Sequence, residues 1–353
     1  RNRTHQKGSG ADGGRQRAGG AAEVTPRRRI LPIFVPHAGC PNDCVFCNQK
    51  RISGSLLPAS AETVRAAVSV LEPGSGYELA FYGGSFTAIP EAEQEALLAA
   101  AIPARESGAV SALRVSTRPD AVTEEKLARL RRYGVETVEL GAQSMCDEVL
   151  LRSGRGHMSE DTVKAAKLVK DAGFTLILQM MTGLPGSDDA RDIQTARSIA
   201  ALHPDGVRIY PTVILRDTPL CDLWQAGKYR EHTVEDAVRV CARILPIFEN
   251  AGIPVIRLGL NPSDELSGGA AVGGAYHPSL GELVRSWLWR DKAEAILSGI
   301  EPGSDVVFGV SANRISVMTG QHRANLSYLQ ERFSLRSVRV CASDVPDGEI
   351  VRI

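Results

Sequence analysis

From residue 30 onward the hydrophobic pattern keeps changing its period. Short runs that fit strands, beginning with "ILPIFV" (30–35), alternate with stretches whose apolar positions recur at helical spacing, beginning with "AETVRAAVSVL" (61–71). "YELAFY" (77–82) leads to a helix near 91–105, and "ALRVS" (112–116) leads to "TEEKLARLRRY". "VETVEL" (135–140) leads to a loop and "SEDTVKAAKLVKDAG", and "FTLILQMM" (174–181) to a helix near 188–202. "GVRIY" (206–210) precedes a loop and the helix "TVEDAVRVCARILPIFENAG", and "PVIRLG" (254–259) follows. Six βα units in series predict an α/β fold with a parallel sheet. That many right-handed crossovers can close, or nearly close, into a barrel with its chemistry on loops at the C-terminal strand ends. The unusual residues fall there: three cysteines after the first strand, "GGSFT" (83–87) after the second and "STRPD" (116–120) after the third. "ELGAQS" (139–144) ends the fourth, "TGLPG" (182–186) follows the fifth and "YPTV" (210–213) ends the sixth. A doubly wound open sheet makes a similar string but gathers its ligand loops at one switch point. Here every strand contributes, which predicts a partial barrel.

Beyond residue 260 a Gly-rich segment, "LSGGAAVGGAYHPSLGE" (266–282), closes the first unit. A Trp-containing helix (283–297), a strand "DVVFGVS", a turn "TGQHRAN", a helix "LSYLQERF" and a strand "SVRVC" then outline a small α/β domain. The expected organisation is a basic tail over 1–29, a barrel over 30–260 and the small domain over 261–353. The tail is rich in Gly, Arg and Ala, with Val24 its one aliphatic residue larger than Ala, and it reads as disordered. Its charge would suit a weak RNA-binding arm, but a plain solubilising segment is the simpler reading.

At 353 residues, 43% hydrophobic and 23% charged, the chain suits one large core or two modest ones. No apolar run approaches the roughly 18 residues of a membrane helix, and no membrane partner is expected. Zero formal net charge gives the whole molecule no strong pull toward nucleic acid. There is no secretory apolar segment, and the seven cysteines cluster instead of spreading like a disulfide framework. A reducing cytoplasm is the expected compartment, where clustered thiols bind metal or do redox work.

The stretch "PHAGCPNDCVFCNQ" (36–49) places Cys40, Cys44 and Cys47 in a C-x3-C-x2-C spacing on the loop after the first strand. Three thiolates can hold three irons of a 4Fe-4S cube and leave the fourth iron open to a small molecule. At zinc the same three would need a fourth ligand, and His37 stands three residues upstream. Spacing alone leaves both open. With Phe46 ahead of the last cysteine, at the first strand exit of a βα repeat, the stretch resembles the radical SAM superfamily. Members of that family bind a cluster through this cysteine pattern and reductively cleave S-adenosylmethionine (SAM) to a 5′-deoxyadenosyl radical. The resemblance runs over residues 30 to about 250. It implies a partial TIM-type (βα)6 barrel of the radical SAM type with a small C-terminal α/β domain, and a 4Fe-4S cluster on the three cysteines with Phe46 beside it. SAM would sit on the open iron, and an external reductant of flavodoxin or ferredoxin type would supply one electron. It further implies that the backbone at Gly83 and Gly84 approaches the SAM amino group. Ser85 stands where relatives carry an acidic residue. Ser116, Arg118, Glu139 and Gln143 lie where relatives contact the ribose or methionyl end, although each also suits ordinary capping and loop hydrogen bonds.

Longer stretches narrow the resemblance. "STRPD", "GVETVELGAQS", "RGHMSEDTVKAAKLVKDAGF", "MMTGLPGS" and "RIYPTVILRDTPLCDLWQAGKY" are similar to the radical SAM domain of the elongator catalytic subunit, a tRNA wobble-uridine modifying enzyme. This implies tRNA as partner, and it makes Arg155, over the barrel mouth, a charge-assisted partner of the SAM carboxylate. The cysteine spacing is shorter than the elongator subunit's, no acetyltransferase domain is expected after the barrel, and "RLGLNPSDELSGG" replaces a basic continuation. The chain looks like a bacterial barrel-only branch, for which acetyl-CoA chemistry is not expected.

In the C-terminal region, "ISVMTGQHRANLSYLQERFSLRSVRV" (315–340) resembles a KH RNA-binding core, in which a Gly-x-x-Gly turn grips phosphates. Arg323 stands at the second glycine, and Gln321, His322 and Arg323 would make the contacts; a plain helix-turn-helix packing element fits equally. Tyr210 and His277 are further substrate candidates at the mouth, or structural hydrogen-bond partners. Cys146, Cys221, Cys241 and Cys341 read as small hydrophobes, Trp287 and Trp289 as anchors of the second domain, and Met180 and Met181 as filling of the core and mouth. The expected function is a cytoplasmic radical SAM enzyme with tRNA as favoured substrate. Its rivals are a radical SAM enzyme on a small molecule, akin to oxygen-independent coproporphyrinogen oxidase, and a non-catalytic zinc protein that binds RNA.

Overall fold

The computed structural model describes residues 29–35, 40, 44–48, 59–263 and 266–353, so His37 and the basic tail up to residue 28 lie outside the described residues. Strands β1 (Ile30–Phe34), β2 (Tyr77–Tyr82), β3 (Val110–Thr117), β4 (Val135–Gln143), β5 (Thr175–Thr182) and β6 (Gly206–Pro211) lie side by side in chain order. After the short β7 (Val213–Leu215), β8 (Val255–Leu258) completes a seven-stranded sheet beside β6. Every pairing in it is parallel. The sheet curls into a half-barrel with β1 and β8 at its two edges.

Strand side chains alternate between faces, and the strands use this to separate two environments. Leu79 and Phe81, Leu113 and Val115, Val138 and Leu140, and Val207 and Ile209 enter the main core with the helices. Alternating with them, Glu78, Arg114, Glu139 and Arg208 belong to the opposite, inner face and make it polar. Four of the covering helices begin at side-chain caps: Ser60 accepts from Thr63 N, Thr123 from Lys126 N, Asp188 from Arg191 N and Thr233 from Asp236 N. These caps satisfy amides that a helix start leaves unpaired. The single helix expected near 91–105 is two, Glu91–Ala99 and Ile102–Glu106, because Pro103 is tolerated in a first turn and not in a helix interior.

The Gly-rich segment supplies β9 (Ala271–Gly274), which pairs antiparallel with β7 next to the barrel mouth. A Cβ on Gly274 (φ +82°) would lie 2.7 Å from the Thr212 carbonyl oxygen, so this pairing needs glycine. The C-terminal lobe has three strands in the order β11 (Ser337–Ala342), β10 (Asp305–Val310), β12 (Ile350–Arg352), with β10 and β11 parallel and β12 antiparallel. Its core holds Val306, Phe308, Met318 and Leu329. The helix Leu280–Ile296 serves both cores: Leu280 and Val284 pack into the barrel, Trp289 and Ala293 into the lobe. Between them the Arg290 guanidinium carbon lies 3.6 Å from the Trp287 ring centre and 4.2 Å from that of Tyr328. Among the described residues, no helix is long and apolar enough to cross a membrane.

Candidate functional site

A cavity of about 560 Å3 opens over the C-terminal ends of the barrel strands. Cys40, Cys44, Phe46 and Cys47 line it from the first strand exit, and Gly83 and Gly84 from the second. Ser116, Arg118, Glu139 and Gln143 line it from β3 and β4, with Arg155 and Tyr210 completing the wall. Ser85, His277, Gln321, His322 and Arg323 are outside this lining.

The cysteine loop is held by later parts of the chain. Val45 N donates to Ser153 O (3.0 Å), Leu220 N donates to Val45 O (2.8 Å), and Cys47 N donates to Cys44 O (3.0 Å). Phe46 packs with Val149, Met181 and Leu184 on one side and with Leu220 and Cys221 on the other. None of the three cysteines is in a disulfide. Burial pushes the Cys40 thiol up, while the Arg155 guanidinium pulls it down. Arg155 Nη1 donates to Cys44 Sγ (3.4 Å) and Nη2 to Gly141 O (2.7 Å).

Among the described residues, no three His, Cys, Asp or Glu side chains converge as one metal ion needs. A cubane asks each thiolate to hold a different iron, so its ligands need not converge on one point. Two further groups fit a bound polar molecule. Ser116 Oγ and Arg155 Nε are buried without a hydrogen-bond partner, and buried polar groups seldom stay so.

Ser85 has its side chain in the wall. Its hydroxyl lies 3.0 Å from Thr117 Oγ1 and accepts from Arg118 N (3.2 Å), tying the exits of β2 and β3 together. The Arg118 guanidinium grips Asp120 with two bonds, 2.9 and 2.7 Å. Gln143 (φ 64°) follows an irregularity at the end of β4 and accepts from Gln179 Nε2 (3.2 Å). His277 Nδ1 accepts from Ser279 N (3.1 Å), and Gln321–Arg323 form the turn before the helix Ala324–Arg332 of the C-terminal lobe.

The inner face also carries a connected ionic network that single-residue reasoning missed apart from Glu139 and Tyr210. Arg114 makes two bonds to Glu78 (3.0 and 2.9 Å) and lies 3.6 Å from Glu139 Oε2, which is 3.0 Å from Arg208 Nε. Arg208 then donates to the hydroxyls of Tyr210 (3.2 Å) and Tyr82 (3.0 Å). Burial, reinforced by Glu139, pushes the Tyr82 phenol up to about 12, and burial raises Tyr210 as well. Both therefore stay neutral. The signal was present: Glu78 and Tyr82, Arg114 and Ser116, and Arg208 and Tyr210 occupy alternate positions of "YELAFY", "ALRVS" and "GVRIY", with only Ala or Gly at the others of that face.

Three more buried groups flank the barrel rim. Burial pushes His157 down to about 4, its Nε2 lying 3.3 Å from Ala142 O, and likewise His232, whose Nε2 lies 3.1 Å from Thr182 Oγ1. Asp192 is pushed up to about 7 by burial, although Gly183 N and Ser187 donate to it. As pH falls from about 6.5 toward 4, the unfolded chain takes up two imidazole protons that the folded chain refuses, which lowers stability. Asp192 opposes this, because only the folded state holds its proton between about 4 and 7. Asp192→Asn is therefore expected to steepen the loss of stability between pH 7 and pH 5, read as the urea midpoint at each pH. An unchanged difference between the two midpoints would count against the buried carboxyl titrating there.

The family model described as the Radical SAM superfamily matches residues 34–199, and that described as the Radical_SAM C-terminal domain matches residues 204–290. The chain belongs to the radical SAM superfamily. Its barrel is similar to the "tRNA uridine(34) acetyltransferase" of Methanocaldococcus jannaschii, 32% identical over 180 residues, which is 50% of this chain and 32% of that protein. It is also similar to "Elongator complex protein 3" of Homo sapiens, 35% identical over 136 residues, 38% of this chain and 25% of that protein. The chain thus spans a third or less of the length of these relatives. The solved archaeal Elp3 of Methanocaldococcus infernus, with its N-terminus (1–46) deleted, superposes with a TM-score of 0.59 at 25% identity, covering 75% of this chain and 63% of that one. The half-barrel is therefore that of a radical SAM enzyme related to these proteins.

Proposed function

We propose that this radical SAM enzyme cleaves SAM reductively at a 4Fe-4S cluster on Cys40, Cys44 and Cys47 and directs the 5′-deoxyadenosyl radical at tRNA. The carrying observation is the meeting, in one cavity, of three cysteines outside any disulfide, the Gly83–Gly84 pair and the unpartnered Ser116 Oγ and Arg155 Nε. When bound, the cluster supplies one electron, obtained from a flavodoxin- or ferredoxin-type reductant, to the sulfonium of SAM. Phe46 keeps the cysteine loop seated. The backbone at Gly83 and Gly84 leaves room for the SAM amino group, Ser116, Arg118 and Gln143 offer it polar contacts, and Arg155 Nε offers a donor to its carboxylate. Ser85 and Glu139 act through the wall and through Arg208. Met181, Val213 and Leu215 give the cavity an apolar side that sheds water. The Tyr210 hydroxyl, already accepting from Arg208, remains free to donate to substrate. His277 lies outside the cavity lining and is given no role.

For tRNA, support comes from the archaeal relatives, which are tRNA uridine(34) acetyltransferases, and from the turn at Gln321–Arg323, where His322 and Arg323 are exposed between the two helices of a β-α-α-β lobe. The test is anaerobic reconstitution with iron and sulfide, then dithionite and SAM, with 5′-deoxyadenosine followed by chromatography. An iron-loaded chain that makes no 5′-deoxyadenosine ends the reading. Salt-sensitive tRNA binding and deuterium transfer from labelled tRNA into 5′-deoxyadenosine are expected. Absence of both would remove tRNA and leave a small-molecule substrate, for which the cavity volume is suitable.

A further inference from the structure

We propose that Arg155 sets the reduction potential of the site through the sulfur of Cys44, an assignment that rests on the reading of the three cysteines as cluster ligands. The guanidinium is buried and held at both ends, with Nη2 on Gly141 O at 2.7 Å and Nη1 on Cys44 Sγ at 3.4 Å. Its backbone is fixed too, Arg155 N donating to Leu150 O (3.0 Å). The loop carrying it is tied to β4 a second time by His157 Nε2 and Ala142 O, and Ser153 O accepts the amide of Val45 in the cysteine loop. One short segment thus positions both the thiols and the cation beside them.

The other arginines of the cavity are neutralised, Arg118 by Asp120 and Arg208 by Glu139. Among the described residues, Arg155 forms no ion pair with a carboxylate, and its nearest charge-bearing partner is the Cys44 sulfur. Reduction adds one negative charge to the thiolate-ligated group. A buried N–H donor and positive charge on one of its sulfurs favours that charge, and hydrogen bonds to sulfur and net charge are the protein's means of moving such potentials. Lysine would keep the charge and lose the planar fork that reaches Gly141 and Cys44 together. Gly141 offers a second handle: a Cβ there would lie 2.8 Å from Arg155 Nη2 and 2.9 Å from Gln143 Nε2, so Gly141→Ala displaces the guanidinium, charge intact, together with the neutral Gln143 amide.

The experiment compares wild type, Arg155→Gln, Arg155→Lys and Gly141→Ala, reconstituted anaerobically to equal iron and sulfide. Midpoint potentials are read by electron paramagnetic resonance during dithionite titration without SAM, and SAM affinity is read separately by equilibrium dialysis. Arg155→Gln is expected to lower the midpoint by on the order of 59 mV, a tenfold loss in the one-electron reduction equilibrium. Arg155→Lys should fall between, and Gly141→Ala should shift the same way. Midpoints equal to wild type in both Arg155 variants overturn the assignment, even if SAM affinity drops. If Arg155→Gln takes up no iron, the lysine and Gly141 variants decide, and wild-type potentials in both overturn it. A wild-type chain that loads no iron instead defeats the reading of the cysteines, a result distinct from either.

Discussion

Cys44→Ala is expected to lose 5′-deoxyadenosine formation by more than about a hundredfold, beyond the 10–100-fold that even an outer-sphere change costs, while the chain stays folded. Cys44 is buried and its sulfur meets Arg155, so its removal takes away both the proposed cluster ligand and the acceptor of that guanidinium. The packing loss is one small group, about 1 kcal/mol, because the loop is still held by Phe46 and by the backbone bonds of Val45. Cys241→Ala is the matched control. That thiol is buried as well but lies in the main core among the helices, outside the packing of the cysteine loop, and its loss should leave product formation intact. Iron content and product, measured on both variants after the same reconstitution, separate a lost ligand from a damaged fold. Wild-type product from Cys44→Ala would move the chemistry off this loop.

The largest expected effect on stability belongs to Glu139→Gln. Glu139 stands between two guanidinium groups, and removing its charge leaves Arg208 buried without a counter-ion while Arg114 keeps Glu78. Breaking one partner of a buried pair costs about 3–5 kcal/mol, and the side-chain exposures of 4% for Glu139 and 10% for Arg208 leave little solvent screening. The expected result is a matching drop in unfolding free energy by urea denaturation. A Glu139→Gln/Arg208→Met double variant should recover part of it, since the two changes share one interaction. A loss below about 1 kcal/mol in the single variant, together with weakened SAM binding, would instead make Glu139 a ligand contact.

Strand positions and their functional ends were legible because alternation in "YELAFY" or "GVRIY" separates a helix-facing side from a barrel-facing one. That alternation placed the functional end, and the family resemblance supplied Ser116, Arg118, Glu139, Gln143 and Arg155, which line the cavity with the cysteines, Phe46, the glycine pair and Tyr210. The ionic network was not anticipated, because which inner residue meets which depends on cross-strand register, such as Ser116 opposite Glu139 on β3 and β4. Register comes from the assembled sheet and not from any one strand. Ser85 sits at an exit with the right neighbours, yet its hydroxyl found Thr117 and the Arg118 amide. The β7–β9 pairing was hidden because its strands are short and one ends in glycines, the weakest strand signal.

The clamps on the cysteine loop bear on how the protein is made. The thiols emerge with the first strand, but Ser153 and Leu220, which hold Val45, are synthesised only after the fourth and seventh strands. Sheet neighbours in chain order let each βα unit settle on the one before it during translation. The cysteines therefore spend much of synthesis as untethered nucleophiles, open to oxidation or to stray metal. They gain the clamps on Val45 only when most of the half-barrel exists, so a cluster on these thiols, as proposed, would be seated late in biogenesis.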